Sequence, residues 1–133
     1  MLTPTSGIIQ KDKTMSESMK QPAVKSVRLS ADKSRLTILF HDGFEAVLSA
    51  ELLRVESPSA EVQGHGADQK KIILGKKDIT ITAIEPVGNY AVRLIFDDGH
   101  DTGIYSWSLF YDYGQRQDAL MAAYHEAAKT ATI

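Results

Sequence analysis

Leu39-Phe40-His41-Asp42-Gly43-Phe44-Glu45 returns in outline 56 residues later as Ile95-Phe96-Asp97-Asp98-Gly99-His100-Asp101. Each stretch sets Asp-Gly between apolar runs, a strong short-range signal for a tight hairpin turn because glycine adopts positive φ without steric penalty. Before the first stretch, Val27, Leu29 and Leu36–Phe40 are β-prone runs separated by the turn chemistry of Ala31-Asp32-Lys33-Ser34. Before the second, Ile79–Ile84 alternates strictly, the chain turns at Glu85-Pro86-Val87-Gly88-Asn89, and alternation resumes over Tyr90–Phe96. After the first, Glu45–Leu48 returns as a strand and Ser49 offers an N-cap hydroxyl to a one- or two-turn helix over Ala50–Arg54. After the second, Ser106 caps a turn carrying Trp107, Phe110 and Tyr111, which Gly114 is expected to stop. Two strand–turn–strand–helix units are implied, although hairpins favour Asp-Gly on their own account. Both readings give an α+β fold: a small antiparallel β-sheet built from Asp-Gly hairpins, one face covered by short helices. A C-terminal amphipathic helix over Gln115–Lys129 completes it, with Leu120, Met121, Tyr124, Ala127 and Ala128 at helical spacing.

Residues 1–22 carry two prolines and many Ser, Thr and Lys without periodicity, and read as a disordered tail before a single domain over 23–130. Glu56–Lys71 lacks periodicity and reads as an irregular excursion, with a short strand possible at Ile72-Ile73-Leu74. The 133 residues hold 15 Lys and Arg against 17 Asp and Glu, a net charge of −2 that argues against a general grip on nucleic acid. With no cysteine, disulfides, thiolate nucleophiles and sulfur-based zinc or iron–sulfur sites are excluded. No apolar run reaches membrane-spanning length and no signal-peptide core is present, so a soluble cytoplasmic protein without membrane contact is expected.

Chemistry-bearing residues form no diagnostic constellation. His65 with Glu61, and His100 with Asp97, Asp98 and Asp101, supply donors that Zn²⁺ or Fe²⁺ accepts, but His-x-Asp and His-x-Glu are absent. A polar turn role accounts for each histidine more economically. Ser57 and Ser59 flank Pro58 without a Gly-x-Ser-x-Gly elbow, and no cue in the sequence places a histidine as their base. Gly64-His65-Gly66 lacks the pattern of a phosphate-binding loop. Five of the aromatic residues fall within Tyr105–Tyr113. Trp107 and Phe110 read as core anchors; the alternative is an exposed surface for a protein partner on Tyr105, Tyr111 and Tyr113, with Trp107, Ser57 and Ser59 as further candidates. No enzymatic activity and no cofactor are expected, and the competing expectation is Zn or Fe held by His100, His65 and Glu61.

Leu53-Arg54-Val55-Glu56-Ser57-Pro58-Ser59-Ala60-Glu61-Val62, followed by Asp98-Gly99-His100-Asp101-Thr102-Gly103-Ile104-Tyr105-Ser106-Trp107, resembles the N-terminal domain of γ-butyrobetaine hydroxylase and trimethyllysine dioxygenase. This family is also catalogued as DUF971, and the resemblance spans about residues 24–114. In the hydroxylases, the resemblance implies, the domain holds a structural zinc through three cysteines and a histidine after an Asp-Gly turn. The matching positions here are Ser57, Ser59, Val62 and His100, and a serine hydroxyl does not replace a thiolate as a tight ligand. The oxygenase domain that binds Fe²⁺ and 2-oxoglutarate has no counterpart motif in this chain. The resemblance also implies a link to Mrp-type P-loop ATPases of iron–sulfur assembly, to which similar domains look to be appended, and so a module that serves different partners. The expectation is a non-catalytic accessory module, the alternative a metal-binding protein of iron–sulfur or redox metabolism.

Overall fold

The structure is a computed structural model that describes residues 21–64 and 70–131. Strands β1 (Val24–Leu29), β2 (Arg35–Phe40) and β3 (Glu45–Ser49) pair antiparallel in that order and lead into helix α1 (Ala50–Val55). After the single-turn helix α2 (Ala60–Gln63), strands β4 (Ile81–Val87), β5 (Ala91–Phe96) and β6 (Gly103–Ser106) repeat the arrangement and lead into helix α3 (Trp107–Ala131). The α+β class and the two units stand, with the strands divided between two three-stranded sheets. Strand alternation reveals which face is buried, and says nothing about which hairpins join into a common sheet.

The units correspond in detail. β1 pairs with β2, and β4 with β5, each with a register irregularity near its start, at Val24/Ser26 and at Ile81/Ala83. Each final helix is hung from its unit's first turn: the Ala50 amide donates to Ser34 O at 2.8 Å and the Trp107 amide to Tyr90 O at 3.2 Å. Serine hydroxyls cap both helices, Ser49 accepting from the Leu52 amide at 3.0 Å and Ser106 from the Leu109 amide at 3.2 Å. Inward residues of both sheets, Leu36, Ile38 and Phe40 with Ile81, Leu94 and Phe96, share one core. A bond from the Ile81 amide to Lys33 O, 2.9 Å, ties β4 to the β1–β2 turn.

The expected break at Gly114 does not occur: α3 runs unbroken for 25 residues. A Cβ on Gly114 would lie 2.6 Å from Ala46 Cβ and 2.9 Å from Phe44 Cε2, so the missing side chain lets α3 lie against β3. Gln117 fixes that contact, accepting from the Ser49 amide at 3.0 Å and donating to Val47 O at 2.7 Å. The segment at Ile72-Ile73-Leu74 is not a strand; Ile73 O instead accepts the Tyr124 hydroxyl at 2.6 Å. The tail expected over residues 1–22 lies outside the described residues up to position 20. Gln21 Oε1 accepts from the Ser108 amide at 2.9 Å.

Candidate functional site

The segment leaving α1 meets the Asp98-Gly99 turn, where the polar side chains with chemical potential gather. Gly99 takes φ of +90°, the Gly99 amide bonds Phe96 O, and Asp98 Oδ1 accepts from the His100 amide at 3.0 Å. The other Asp98 oxygen accepts Arg54 Nε and Lys76 Nζ, both at 2.8 Å, so the turn is clamped to α1 and to residue 76. Burial alone would raise the Asp98 carboxyl. The Lys76 ammonium, the His100 amide and the Arg54 guanidinium overcome it and hold the group well below the usual carboxylate range.

This clamp aims the His100 ring inward. Its Nε2 lies 2.9 Å from Ser57 Oγ and 3.4 Å from Ser59 Oγ, and the two hydroxyls are 3.2 Å apart. Ser57 is fully buried, with Ser59 and His100 nearly so. Gly103 makes the cluster possible, because a Cβ there would sit 2.6 Å from Ser57 Oγ and 2.9 Å from Tyr105 Cε1. The segment carrying the serines is held by further bonds: Gln63 Nε2 donates to Ser57 O at 2.9 Å, Tyr113 donates its hydroxyl to Glu56 O at 2.5 Å, and Tyr105 donates to Leu53 O. On the outer side, Glu61 Oε1 lies 3.8 Å from His100 Nδ1 and accepts from Thr102 Oγ1. Burial pushes the His100 pKa down and the Arg54 charge adds to it, against the opposing pull of Glu61, Asp98 and Asp101. The ring is thus kept neutral near pH 7.

The structure therefore supplies a serine–histidine contact across 43 residues that no local cue announced and that the resemblance alone grouped. By distance the pair resembles an activated hydroxyl, with Glu61 behind the ring. Ser57, however, is fully enclosed, walled by Gly103 and Tyr105, and an external carbonyl has no line of approach to it.

Other expected site residues part company. Tyr105 is fully buried and stacks on Phe110 with ring centroids 5.5 Å apart, which removes it from any docking surface. Alternation in β6 explains this, since Tyr105 shares its inward face with Gly103 while Ile104 points out. Ser57 and Ser59 are interior as well. Trp107 is half-buried and donates Nε1–H to Asn89 O at 3.0 Å, whereas Tyr111 packs between Phe40 and Phe44 and donates to Asp42 Oδ2 at 2.6 Å. These five residues do not make one exposed face. Of the expected metal ligands, His100 and Glu61 are neighbours, and His65 lies outside the described residues. Among the described residues no group of three or more His, Asp or Glu side chains is arranged to hold a metal. The positions matching the hydroxylase zinc ligands offer two hydroxyls, one imidazole and the donor-free Val62, a set that does not fit that ion.

Two surface clefts were not foreseen. One, of about 250 Å³, lies on the outer side of the Asp98 clamp between Gly75–Ile79 and Asp97-Asp98. Another, of about 230 Å³, runs between α3 and the segment after α2, walled by Val55, Ile72, Leu120, Ala123, Tyr124 and Ala127. Lys71 and an ion pair complete its wall, Lys70 Nζ bonding both Glu56 oxygens at 2.6 and 2.7 Å. Ile72 and Leu74 are 39% and 41% exposed nearby. Its walls come from the end of α1, the segment at Ile72 and the later turns of α3, which share no motif, and no local pattern announces it. No helix among the described residues is long and apolar enough to cross a membrane.

Twin βββα units with a sealed hydroxyl–imidazole cluster define a small α+β domain. The chain belongs to the gamma-butyrobetaine hydroxylase-like, N-terminal family, whose pattern it matches over residues 27–111. It is similar to two proteins solved by solution NMR. One is 46% identical over 86% of each chain with a TM-score of 0.73, and the other is 37% identical over 85% of this chain and 89% of that one, also at 0.73. A crystal structure of a protein of unknown function in the DUF971 family, from Acidithiobacillus ferrooxidans, is 32% identical. It covers 68% of this chain and 91% of that one, with a TM-score of 0.57. No curated protein matches.

Proposed function

We propose that this chain is a non-catalytic accessory module that binds a polypeptide segment of a partner protein in the cleft between α3 and residues 70–72. The observation that carries this reading is the contrast in access: the reactive cluster is enclosed, while an apolar-walled cleft is open. At about 230 Å³ it falls below the roughly 300–1,000 Å³ of small-molecule sites, and suits the anchoring side chains of a protein. Ile72 in the cleft wall and Leu74 two residues on are both exposed apolar side chains, and the net charge of −2 fits a protein better than nucleic acid. Work in the cytoplasm belongs to the same reading. The alternative of an iron- or zinc-dependent accessory role has the His100–Glu61 proximity in its favour, without a third ligand among the described residues.

The test is affinity capture followed by titration of the purified partner against three forms of the chain. Ala123→Arg fills the cleft and should weaken binding at least tenfold. Tyr90→Ser, in the turn whose carbonyl holds the Trp107 amide at the start of α3, with about 24 Å of helical rise between Trp107 and Ala123, should leave it unchanged. Equal binding by wild type and Ala123→Arg would remove the cleft as the docking site.

A further inference from the structure

Ser57, Ser59 and His100 hold three donor atoms in a closed triangle with edges of 2.9, 3.4 and 3.2 Å. Ligands sharing one face of a tetrahedral zinc, at metal distances of about 2.0–2.3 Å, stand roughly 3.5 Å apart. The triangle is thus a slightly contracted version of such a face, and the longer bond of a sulfur would open it outward. Its corners belong to segments 43 residues apart, so whatever joins them crosslinks the exit of α1 to the Asp98-Gly99 turn. Serine hydroxyls stay protonated near neutral pH. They therefore act here as hydrogen-bonding partners and not as metal ligands.

We infer that this cluster is a metal-free replacement for a metal crosslink, on a frame that still accepts the metal once sulfur is restored. The hydrogen bonds do the tying, and the Tyr105, Tyr113 and Gln63 bonds to the same segment carry the remaining load. Gly103 keeps the space that a side chain would fill, and the Asp98 clamp keeps the imidazole pointed at it. Val62, buried and one turn beyond Ser59 through its amide bond to Ser59 O at 3.1 Å, is the position at which a fourth ligand is tried.

The experiment compares wild type with S57C/S59C/V62C. Melting of the wild type should be unchanged by excess chelator or excess zinc. The cysteine variant should take up one zinc per chain, show thiolate-to-cobalt charge-transfer absorption with Co²⁺, and melt several degrees lower in chelator. Adding His100→Ala to the variant should weaken uptake at least tenfold. Destabilisation of the wild type by chelator overturns the proposal, as does a folded cysteine variant that takes up no more zinc than wild type. Should the triple variant fail to fold with or without zinc, S57C/S59C leaves Val62 in place and decides the matter by the presence or absence of the cobalt band.

Discussion

Two residues after Asp42 the chain carries Phe44, and two residues after Asp98 it carries His100. The backbone around them is the same: Gly43 and Gly99 take φ of +93° and +90°, and the amides of Phe40 and Phe96 donate to Phe44 O and His100 O at 2.9 and 3.0 Å. Asp42 Oδ1 accepts from the Phe44 amide at 2.9 Å as Asp98 Oδ1 does from His100. The side chains then diverge. Phe44 lies 4.6 Å from the Tyr111 ring, and Asp42 accepts the Tyr111 hydroxyl, so the first turn anchors α3. His100 turns to two serines, and Asp98 takes Arg54 and Lys76, so the second turn anchors the exit of α1. One local device has been put to two long-range uses, and the second joins an imidazole to charged side chains of both signs.

If the units share one core, their equivalent aromatics carry equivalent weight. Phe40 and Phe96 occupy matching positions at the ends of β2 and β5, each 1% exposed. Phe40→Ala and Phe96→Ala should each cost about 3–5 kcal/mol in urea unfolding, a large share of the total for a domain of this size. A cost at one position less than half that at the other would break the equivalence. Next comes Gly114→Ala, which adds a methyl where Ala46 Cβ and Phe44 already stand. Alanine ordinarily favours a helix interior by about 1 kcal/mol over glycine. Here the overlap should reverse the sign and cost about 1–3 kcal/mol; stabilisation would mean that α3 does not lie against the first unit as described.

His100→Phe makes the second turn copy the first. It takes the imidazole away from the Ser57 and Ser59 hydroxyls, which keep each other and the Ser59 amide at 3.4 Å from Ser57 Oγ, and should cost about 1–3 kcal/mol at neutral pH. The loss should also change with acidity. Because the folded-state pKa of His100 lies below the ordinary 6.5, the unfolded chain takes up the proton first as pH falls. Wild-type stability attributable to this ring is complete above about pH 6.5 and declines below it. Urea midpoints at about pH 7.5 and 5.5, either side of the ordinary histidine value, should therefore converge between wild type and His100→Phe on acidification. A gap that is constant with pH would mean that the ring is not held neutral by its surroundings.

Both turns, both serine caps and the strand pairs are legible in the sequence because each is written in one local stretch, the longest pair spanning Val24–Phe40. Gly114 is not: a glycine after an aromatic turn signals a helix stop, and only the neighbouring strand reveals that the residue is small to admit Ala46. The sorting of Tyr105 was available in principle, since its alternation with Ile104 places it inside. Grouping it with the aromatic run that follows concealed this. The Ser57–His100 contact is legible only through resemblance, because nothing local to Ser57-Pro58-Ser59 refers to a turn 43 residues away. The cleft along α3 was legible in neither way.

The smallest effects test the backbone identity on which the comparison rests. A Cβ at Gly43 or at Gly99 meets nothing within 4 Å, so alanine at either position is opposed by the left-handed φ alone. That conformation costs a non-glycine residue about 1–2 kcal/mol. Gly43→Ala and Gly99→Ala should therefore destabilise by the same amount, whatever side chains their turns carry. The substitution at 99 has the further possibility of tilting His100 away from the serines. If it does, Gly99→Ala will exceed Gly43→Ala, and the excess will disappear in the His100→Phe background, where no imidazole remains to be misaligned. An excess that survives there would place the difference in the backbone itself, and the two turns would no longer be one device.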